Sequence, residues 1–182
     1  LCMINCFVQG KTLPEAYHRS LVSLYENGEV VGCSDWNTWC REVSMTMVVE
    51  EPILEPRVSR LAFCTPESLK QYLGEMLDGT LDWAIFEGKE PYTYHDRMVN
   101  YDGVDQIELA VNELLRDADS RRSVVLVRHP DDFGSSDPAC LQHIQFAIRD
   151  GKLDMFVLFR SNDAVKATFM NAYALIELQK RL

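Results

Sequence analysis

The chain has 182 residues, is 47% hydrophobic, and carries 18 basic against 28 acidic residues, for a formal net charge of -10. This length and apolar content suit one domain with a sizeable core, so we expect a single domain over residues 1–182. The negative charge disfavours non-specific binding to nucleic acid or anionic membrane. The apolar runs are far shorter than the ~20 residues of a membrane span, and no secretory leader opens the chain, so we expect a soluble cytoplasmic protein.

The cysteines and histidines lack the spacing of a metal site. The six cysteines stand at positions 2, 6, 33, 40, 64 and 140, with no C-x-x-C pair that would indicate a zinc ribbon or a thioredoxin-type motif. His95, His129 and His143 show no metal-ligand spacing either. We therefore predict reduced thiols and no bound metal.

The first half of the chain predicts two helices and a strand. Residues 14–27 place apolar side chains at helical spacing and are followed by Gly28, a common helix stop. Residues 43–49 alternate in the manner of a half-buried strand. Thr65, followed by a proline, is typical of a helix start, and we expect this helix to end near Gly79.

The second half continues the alternation of strands and helices. Residues 104–116 predict a third helix, residues 123–127 ("SVVLV") a buried strand, and residues 164–182 a final helix. Several helices and several strands in one domain predict an α/β (α+β) two-layer sandwich.

A tight hairpin is predicted around Asp150-Gly151, because this dipeptide lies between two alternating apolar runs. If no bulge intervenes, the register counted from this turn places Cys140 opposite Ser161, with Arg160 as its diagonal neighbour. A nearby cation favours the thiolate that a covalent nucleophile needs. Cys140 is therefore a candidate nucleophile, and the alternative is a structural cysteine packed in the core.

Residues 90–173 resemble the thymidylate synthases, and most closely their short archaeal-type branch. In that family a P-C nucleophile is followed by a Gln-Phe pair, by D-G-K-L, and, twenty residues after the cysteine, by R-S-x-D. The same order here comprises Cys140, Gln145-Phe146, "DGKL" at 150–153, Arg160, Ser161 and Asp163. The resemblance implies a mixed, mainly antiparallel sheet with packed helices.

Further matches lie on either side of this segment. "DADSRR" resembles the family's D-P-D-S-R-R and places Arg121 and Arg122 where two arginines cross a dimer interface to the nucleotide phosphate of the other subunit. "DQI" at 105–107 and Asn171 also match. The resemblance therefore implies a homodimer with shared active sites.

The family reaction transfers a one-carbon unit to carbon 5 of dUMP, giving dTMP. The resemblance implies that Cys140 adds to carbon 6 of uracil, which makes carbon 5 nucleophilic. The donor would be methylene-tetrahydrofolate or methylene-tetrahydromethanopterin. The resemblance assigns nucleotide binding to Arg121, Arg122, Arg160, Ser161, Asp163 and Asn171, with Asn171 reading the uracil edge.

A tyrosine in "YTYHDRM" would assist proton removal from carbon 5. Tyr94 is the primary candidate, and Tyr92 is the alternative under a different gap placement. The sequence also departs from the family pattern, since Leu141 replaces the usual histidine and Phe159 the usual glutamine. The family's arginine loop has no clear counterpart except Arg41, and its glutamate base has no assigned position.

Two alternatives to a thymidylate synthase remain. One is a cytidylate hydroxymethylase-like enzyme, in which an aspartate is expected in place of Asn171. The other is a catalytically silent nucleotide-binding homologue. The family's sugar-binding H-x-Y pair should follow the last helix and is not present in these 182 residues, which favours the silent homologue. We also expect the C-terminal part of the family domain to be missing beyond Leu182.

Overall fold

A computed structural model describes residues 4–34 and 37–182. Its elements, in chain order, are β1 (Asn5–Gly10), α1 (Leu13–Asn27), β2 (Glu29–Cys33), β3 (Thr38–Glu42), β4 (Ser44–Val49), α2 (Pro66–Leu77), α3 (Trp83–Phe86), α4 (Tyr94–Val99), α5 (Gln106–Arg116), β5 (Val124–Leu126), β6 (Leu141–Arg149), β7 (Lys152–Phe159) and α6 (Thr168–Arg181). They form two compact units. The first comprises the described residues up to Cys64 together with Asp163–Ile176, and the second comprises Thr65–Asn162 with Glu177–Leu182.

The first unit is built around α1 and the start of α6. Strands β1 and β4 pair in parallel, and β2 and β3 form an antiparallel hairpin. The buried cluster contains Leu13, Tyr17, Phe169 and Ile176. The Tyr17 and Phe169 rings meet edge to face with centroids 5.3 Å apart, an arrangement that aromatic pairs favour.

The second unit contains an antiparallel sheet in the order β5-β6-β7. Helix α5 packs on β5 and β6, and α4 packs against α2 and α5. Met98, Ala110, Val125 and Ile144 are buried. Helix α5 therefore covers one face of β5 and β6, which fixes the register of these strands.

The predicted mixed α/β fold is confirmed, with antiparallel pairing in two of the three sheets that the described residues form. Helices α1 and α2 and strands β4 and β5 lie where the sequence predicted them. Thr65 caps α2 in a reciprocal capping box with Ser68, in which each side chain accepts a hydrogen bond from the other's backbone N–H. In the described part of the chain, no helix has the length and hydropathy needed to cross a bilayer.

Two predicted helix starts are too early. Helix α5 begins at Gln106 because the side chain of Asp105 caps it by accepting from the backbone N–H of Glu108. Helix α6 begins at Thr168, after a turn held by Asp163. The Asp163 carboxylate accepts from the amides of Val165 and Lys166 at 2.9 and 2.8 Å, so this aspartate closes the turn before the helix.

The predicted register of the hairpin is correct for most of its length but wrong at Cys140. Asp150 and Gly151 both have positive φ, 52° and 71°, as a two-residue type I′ turn requires. A bulge between Leu141 and His143 shifts the pairing by one residue. The amide of Arg160, instead of Ser161, is consequently opposite Cys140, donating to its carbonyl at 2.8 Å.

Candidate active site

Cys140 lies in the second unit, immediately before β6, and is half-buried. Its Sγ lies 3.9 Å from the hydroxyl oxygen of Ser161, which follows β7. The thiol thus retains its predicted neighbour despite the bulge, because side chains reach diagonally across a hairpin. The bulge residue, Gln142, donates its side-chain amide to the carbonyls of Ala139 at 2.6 Å and Cys140 at 3.3 Å, and so holds the backbone around the thiol.

Arg160 braces the loop that leads to Cys140. Its Nε donates to the carbonyl of Ala139 at 3.1 Å and its Nη2 to that of Pro138 at 2.7 Å. These bonds use two of the five N–H donors of a guanidinium, and the residue is solvent-exposed. Arg160 therefore positions the segment that leads to Cys140 and retains donors for an anion.

Tyr94 is the first residue of α4 and approaches the same segment. Its hydroxyl oxygen accepts from the backbone N–H of Leu141 at 3.4 Å. Burial raises the pKa of Tyr94, the charge of a Cys140 thiolate raises it further, and hydrogen bonds from the Leu141 and Cys140 amides and the charge of Arg160 oppose these effects. The phenol is therefore neutral near pH 7 and serves as a hydrogen-bonding group.

A cavity of about 160 Å³ opens beside this tyrosine. Its aromatic wall consists of Tyr72, Tyr92 and Tyr94, and its carboxylates are Glu75, Glu90 and Asp137. Burial, followed by the neighbouring phenols and acids, raises the pKa values of Tyr72 and Tyr92. The cavity thus combines flat aromatic faces with hydrogen-bond acceptors, which suits a planar ligand that carries N–H donors.

Arg121 and Arg122 are exposed on the second unit. In the described part of the chain, neither guanidinium makes a hydrogen bond or an ion pair. Their backbones are tethered, because Gln145 Nε2 donates to the carbonyl of Arg121 at 3.4 Å and the amide of Arg122 donates to Ser120 Oγ at 3.2 Å. The two arginine side chains therefore project from an anchored segment.

Asp163 and Asn171 belong to the first unit. One carboxylate oxygen of Asp163 is engaged by the turn before α6, which gives this residue a structural role in its own chain. Asn171 is 6% exposed, and its backbone amide donates to the carbonyl of Ala167. Arg41 also lies in this unit, where its guanidinium donates to the carbonyl of Gly28 at 3.0 Å and covers the Tyr25 ring at 5.5 Å.

Sequence reasoning missed two parts of the second unit that shape the site. The bulge at Gln142 moves Arg160 by one position in the register. Tyr72 lies on the apolar face of α2, and sequence reasoning did not identify it as a residue that lines the cavity. A tyrosine on that face was the available signal, because a buried phenol needs a polar environment for its hydroxyl.

Within residues 4–34 and 37–182, no three histidine, cysteine, aspartate or glutamate side chains are grouped so that they could hold a metal ion. The Ser161 hydroxyl lies beside the Cys140 thiol, and the Arg160 guanidinium and the Tyr94 phenol bind the backbone on either side of it. This set suits covalent catalysis on an anionic substrate.

Comparisons with known proteins identify the family of the chain. The family model described as "Thymidylate synthase" matches residues 26–180. A Methanosarcina barkeri protein named "Putative thymidylate synthase" is 31% identical over 177 residues, covering 96% of this chain and 79% of that protein. A Methanocaldococcus jannaschii protein of the same name is 28% identical over 186 residues, covering 94% and 78%. The "Thymidylate synthase" of Bacillus licheniformis is 31% identical over 88 residues, covering 48% and 32%. The chain belongs to the thymidylate synthase family.

Proposed function

We propose that the protein is a thymidylate synthase that transfers a one-carbon unit from a reduced methylene-pterin to carbon 5 of dUMP. The observation that carries this proposal is the convergence of three groups on Cys140. Ser161 contacts the thiol, Arg160 braces the preceding carbonyls, and the Tyr94 hydroxyl meets the next amide. A core cysteine would be surrounded by apolar side chains instead.

In this reaction the Cys140 thiolate adds to carbon 6 of uracil, and the electron density released to carbon 5 attacks the one-carbon unit. The pterin, when bound, supplies that unit and the reducing equivalents that convert it to a methyl group. The proton on carbon 5 must then leave. Tyr94 assists as a neutral phenol, because its raised pKa keeps the hydroxyl protonated and able to hydrogen-bond to a water or a carbonyl near the reacting carbon.

Recognition of the nucleotide is assigned to polar groups of three kinds. The free N–H donors of Arg160 and the Ser161 hydroxyl would bind the phosphate, since charge-assisted bonds from a guanidinium suit phosphate oxygens. Asn171 would read the base, because an amide offers the donor and acceptor that the imide edge of uracil requires. Asp163 is assigned to substrate binding by family resemblance, in addition to its role in the turn.

The aromatic and acidic cavity beside Tyr94 supports binding of a pterin. Tyr72 and Tyr92 offer faces on which a flat ring can stack, and Glu75 and Asp137 can accept hydrogen bonds from the amino and ring N–H groups of a pterin. The amino group and ring N–H groups that these carboxylates would bind are present in both methylene-tetrahydrofolate and methylene-tetrahydromethanopterin. Either compound is a candidate donor.

A homodimer with shared active sites is part of the proposal. The outer face of the β5-β6-β7 sheet exposes Val124, Leu126, Phe156 and Leu158 by 38 to 58%. Register places Gln145 of β6 between Val124 and Phe156 in one cross-strand row and His143 between Leu126 and Leu158 in the next, so this face has two apolar edges beside a polar central strand. Arg121 and Arg122 precede β5 and would cross to the phosphate of the partner.

Mass spectrometry tests the proposed function directly. Incubation with 5-fluoro-dUMP and methylene-tetrahydrofolate, or the methanopterin analogue, should yield a ternary covalent adduct on the peptide that contains Cys140. Fluorine cannot leave as a proton does, so the reaction stops at the adduct. The Cys140→Ser protein is the control and should give none. A wild-type protein that binds dUMP yet forms no adduct with either donor would support the silent homologue.

A further inference from the structure

A single carboxylate holds the residues on both sides of Tyr94. Asp82 Oδ1 accepts from the Thr93 hydroxyl at 2.5 Å, and Asp82 Oδ2 lies 2.6 Å from His95 Nδ1, which carries the shared hydrogen. Asp82 is 21% and His95 20% exposed at their side chains, so both bonds are partly shielded from water. The residues before and after Tyr94, Thr93 and His95, are thus both held by the side chain of Asp82.

The orientation of Asp82 is unusual for its place in the chain. It occupies the N-cap position of α3, where an aspartate ordinarily accepts from a backbone amide of its own helix. Asp82 makes no such bond, and its two carboxylate oxygens face Thr93 and His95 instead. Asp82 therefore contacts two residues more than ten positions further along the chain and does not cap its own helix.

Thr93 transmits this contact to the start of α4. Its Oγ1 accepts from the backbone N–H of Asp96 at 3.0 Å, and it is the N-cap of the helix that begins with Tyr94. Thr93 is 7% exposed. The same hydroxyl therefore fixes the first turn of α4 as an acceptor and binds Asp82 as a donor.

The backbone of Gly79 packs closely against the Asp82–His95 pair, and the lack of a side chain at Gly79 makes this possible. Its φ is +65°, and a Cβ built there would lie 2.5 Å from both Asp82 Oδ2 and His95 Nδ1. Backbone that packs this tightly against a polar pair restricts the space into which either side chain could move. The end of α2 thus closes the third side of the Asp82 contacts.

We propose that Asp82 is a positioning residue for Tyr94, holding the phenol against the Cys140–Leu141 backbone through Thr93 and His95. The bond from the Leu141 amide to the Tyr94 hydroxyl is 3.4 Å, which is long for a hydrogen bond and by itself fixes the ring weakly. The bidentate contact of Asp82 supplies the missing constraint from the backbone side. The catalytic consequence rests on the proposed function.

Measuring loss of the carbon 5 proton reports on the single step in which we propose that Tyr94 acts. Release of tritium from [5-³H]dUMP should fall by up to about a hundredfold in Asp82→Ala, the order of loss that follows from a misplaced catalytic group. It should fall less in Asp82→Asn, which retains an acceptor for Thr93. Asp82→Ala should cause no further loss in a Tyr94→Phe background, because the two changes remove the same contribution. Adduct formation with 5-fluoro-dUMP, which requires no proton loss, should remain within about threefold of wild type.

The matched control is Asp96→Asn. Asp96 lies on the same helix, but its Oδ1 accepts from the Asn100 side chain, and tritium release should be unchanged. Equal loss in Asp96→Asn and Asp82→Ala, additive losses with Tyr94→Phe, or parallel loss of adduct would overturn the positioning role and indicate general destabilisation of the unit.

A second measurement requires no catalysis. In protein labelled with 3-fluorotyrosine, the ¹⁹F resonance that disappears in Tyr94→Phe reports the environment of this ring. It should shift or broaden in Asp82→Ala and in Thr93→Val and remain in place in Asp96→Asn. An unchanged resonance in Asp82→Ala overturns the inference even if the enzyme is active. A shifted resonance in a protein that forms no 5-fluoro-dUMP adduct upholds the positioning and rejects the proposed function.

Discussion

Cys40 and Cys140 both lie at hairpins, but different groups surround their sulfur atoms. Cys40 precedes Arg41 in sequence, and Cys140 lies opposite Arg160 in the hairpin register. Cys40 lies on β3 of the first unit, half-buried, and its Sγ donates toward Glu42 at 3.6 Å. Desolvation, then Cys33 across the hairpin and Glu42, raise the pKa of Cys40. The adjacent Arg41 turns away to the Gly28 carbonyl. A sequential arginine thus leaves this thiol protonated.

Cys140 is also half-buried but its surroundings are different. The neighbour of its sulfur is the Ser161 hydroxyl. Arg160 donates its backbone amide to the Cys140 carbonyl and its guanidinium to the carbonyl of the preceding Ala139. Tyr94 approaches the next amide. The contrast shows that an arginine adjacent in sequence is not enough to make a cysteine a nucleophile. The groups that face the sulfur decide its reactivity.

The largest expected effect is on turnover, which should be lost when Cys140 is replaced but not when Cys40 is replaced. Cys140→Ser should abolish turnover of dUMP while its dissociation constant changes by less than about tenfold, because an alkoxide is far harder to form than a thiolate. Cys40→Ser is the matched control and should retain turnover, since that thiol has no role in the reaction. Steady-state kinetics and dUMP binding on the purified variants check both statements. Turnover by Cys140→Ser at a rate near wild type would end the covalent mechanism.

The next effect tests whether the Cys140 site is completed by a second subunit. Cys140→Ser and Arg122→Ala chains should each be inactive. When they are mixed and exchanged, each heterodimer combines one good cysteine with one good arginine, so an equal mixture should recover about a quarter of wild-type activity. Arg149→Ala is the control for loss of an exposed arginine and should stay active. A mixture as inactive as its components, or a monomer in solution, would assign the arginines to their own chain.

How much of this site the sequence predicts depends on the range of the interactions involved. The Asp150-Gly151 turn is encoded locally, and the register it sets holds from Arg149 back to His143. The bulge at Gln142 is not local, because the Gln142 carbonyl accepts from Val127 and Arg128 on the β5 side of the sheet. A hairpin considered by itself contains no information about that partner.

The same distinction applies to the helices. The helix start at Thr65 was predicted from two consecutive residues, Thr65 and Pro66. The start of α4 at Tyr94 was missed, although Thr93 is a good N-cap, because six residues carry too little apolar periodicity to be recognised. The contacts of Asp82 with Thr93 and His95 join segments 11 and 13 residues apart, and only tertiary structure places them together.

A moderate effect concerns recognition of the nucleotide base that, in the proposed reaction, Cys140 attacks. Asn171→Asp should shift preference from dUMP toward dCMP, because a carboxylate or its acid can meet the exocyclic amine of cytosine. One mispaired buried hydrogen bond is worth about 1 to 3 kcal/mol, which corresponds to about 5- to 150-fold in the ratio of kcat/KM values. Competition between the two nucleotides measures this ratio directly. An unchanged ranking in Asn171→Asp would remove Asn171 from base recognition.

The smallest effect returns to Cys40 and isolates one cause of its raised pKa. Glu42→Gln removes the negative charge and the charged acceptor near the sulfur, so the pKa of Cys40 should fall and its alkylation by iodoacetamide should begin at lower pH. Because desolvation and Cys33, the larger causes, remain, the pKa should still lie above the ordinary cysteine value. Glu29→Gln is the control, since Glu29 faces Glu42 in the register but is not among the causes of the shift. Peptide mapping of the alkylated protein against pH follows Cys40 alone, and an identical profile for both variants would show that Glu42 does not control this thiol.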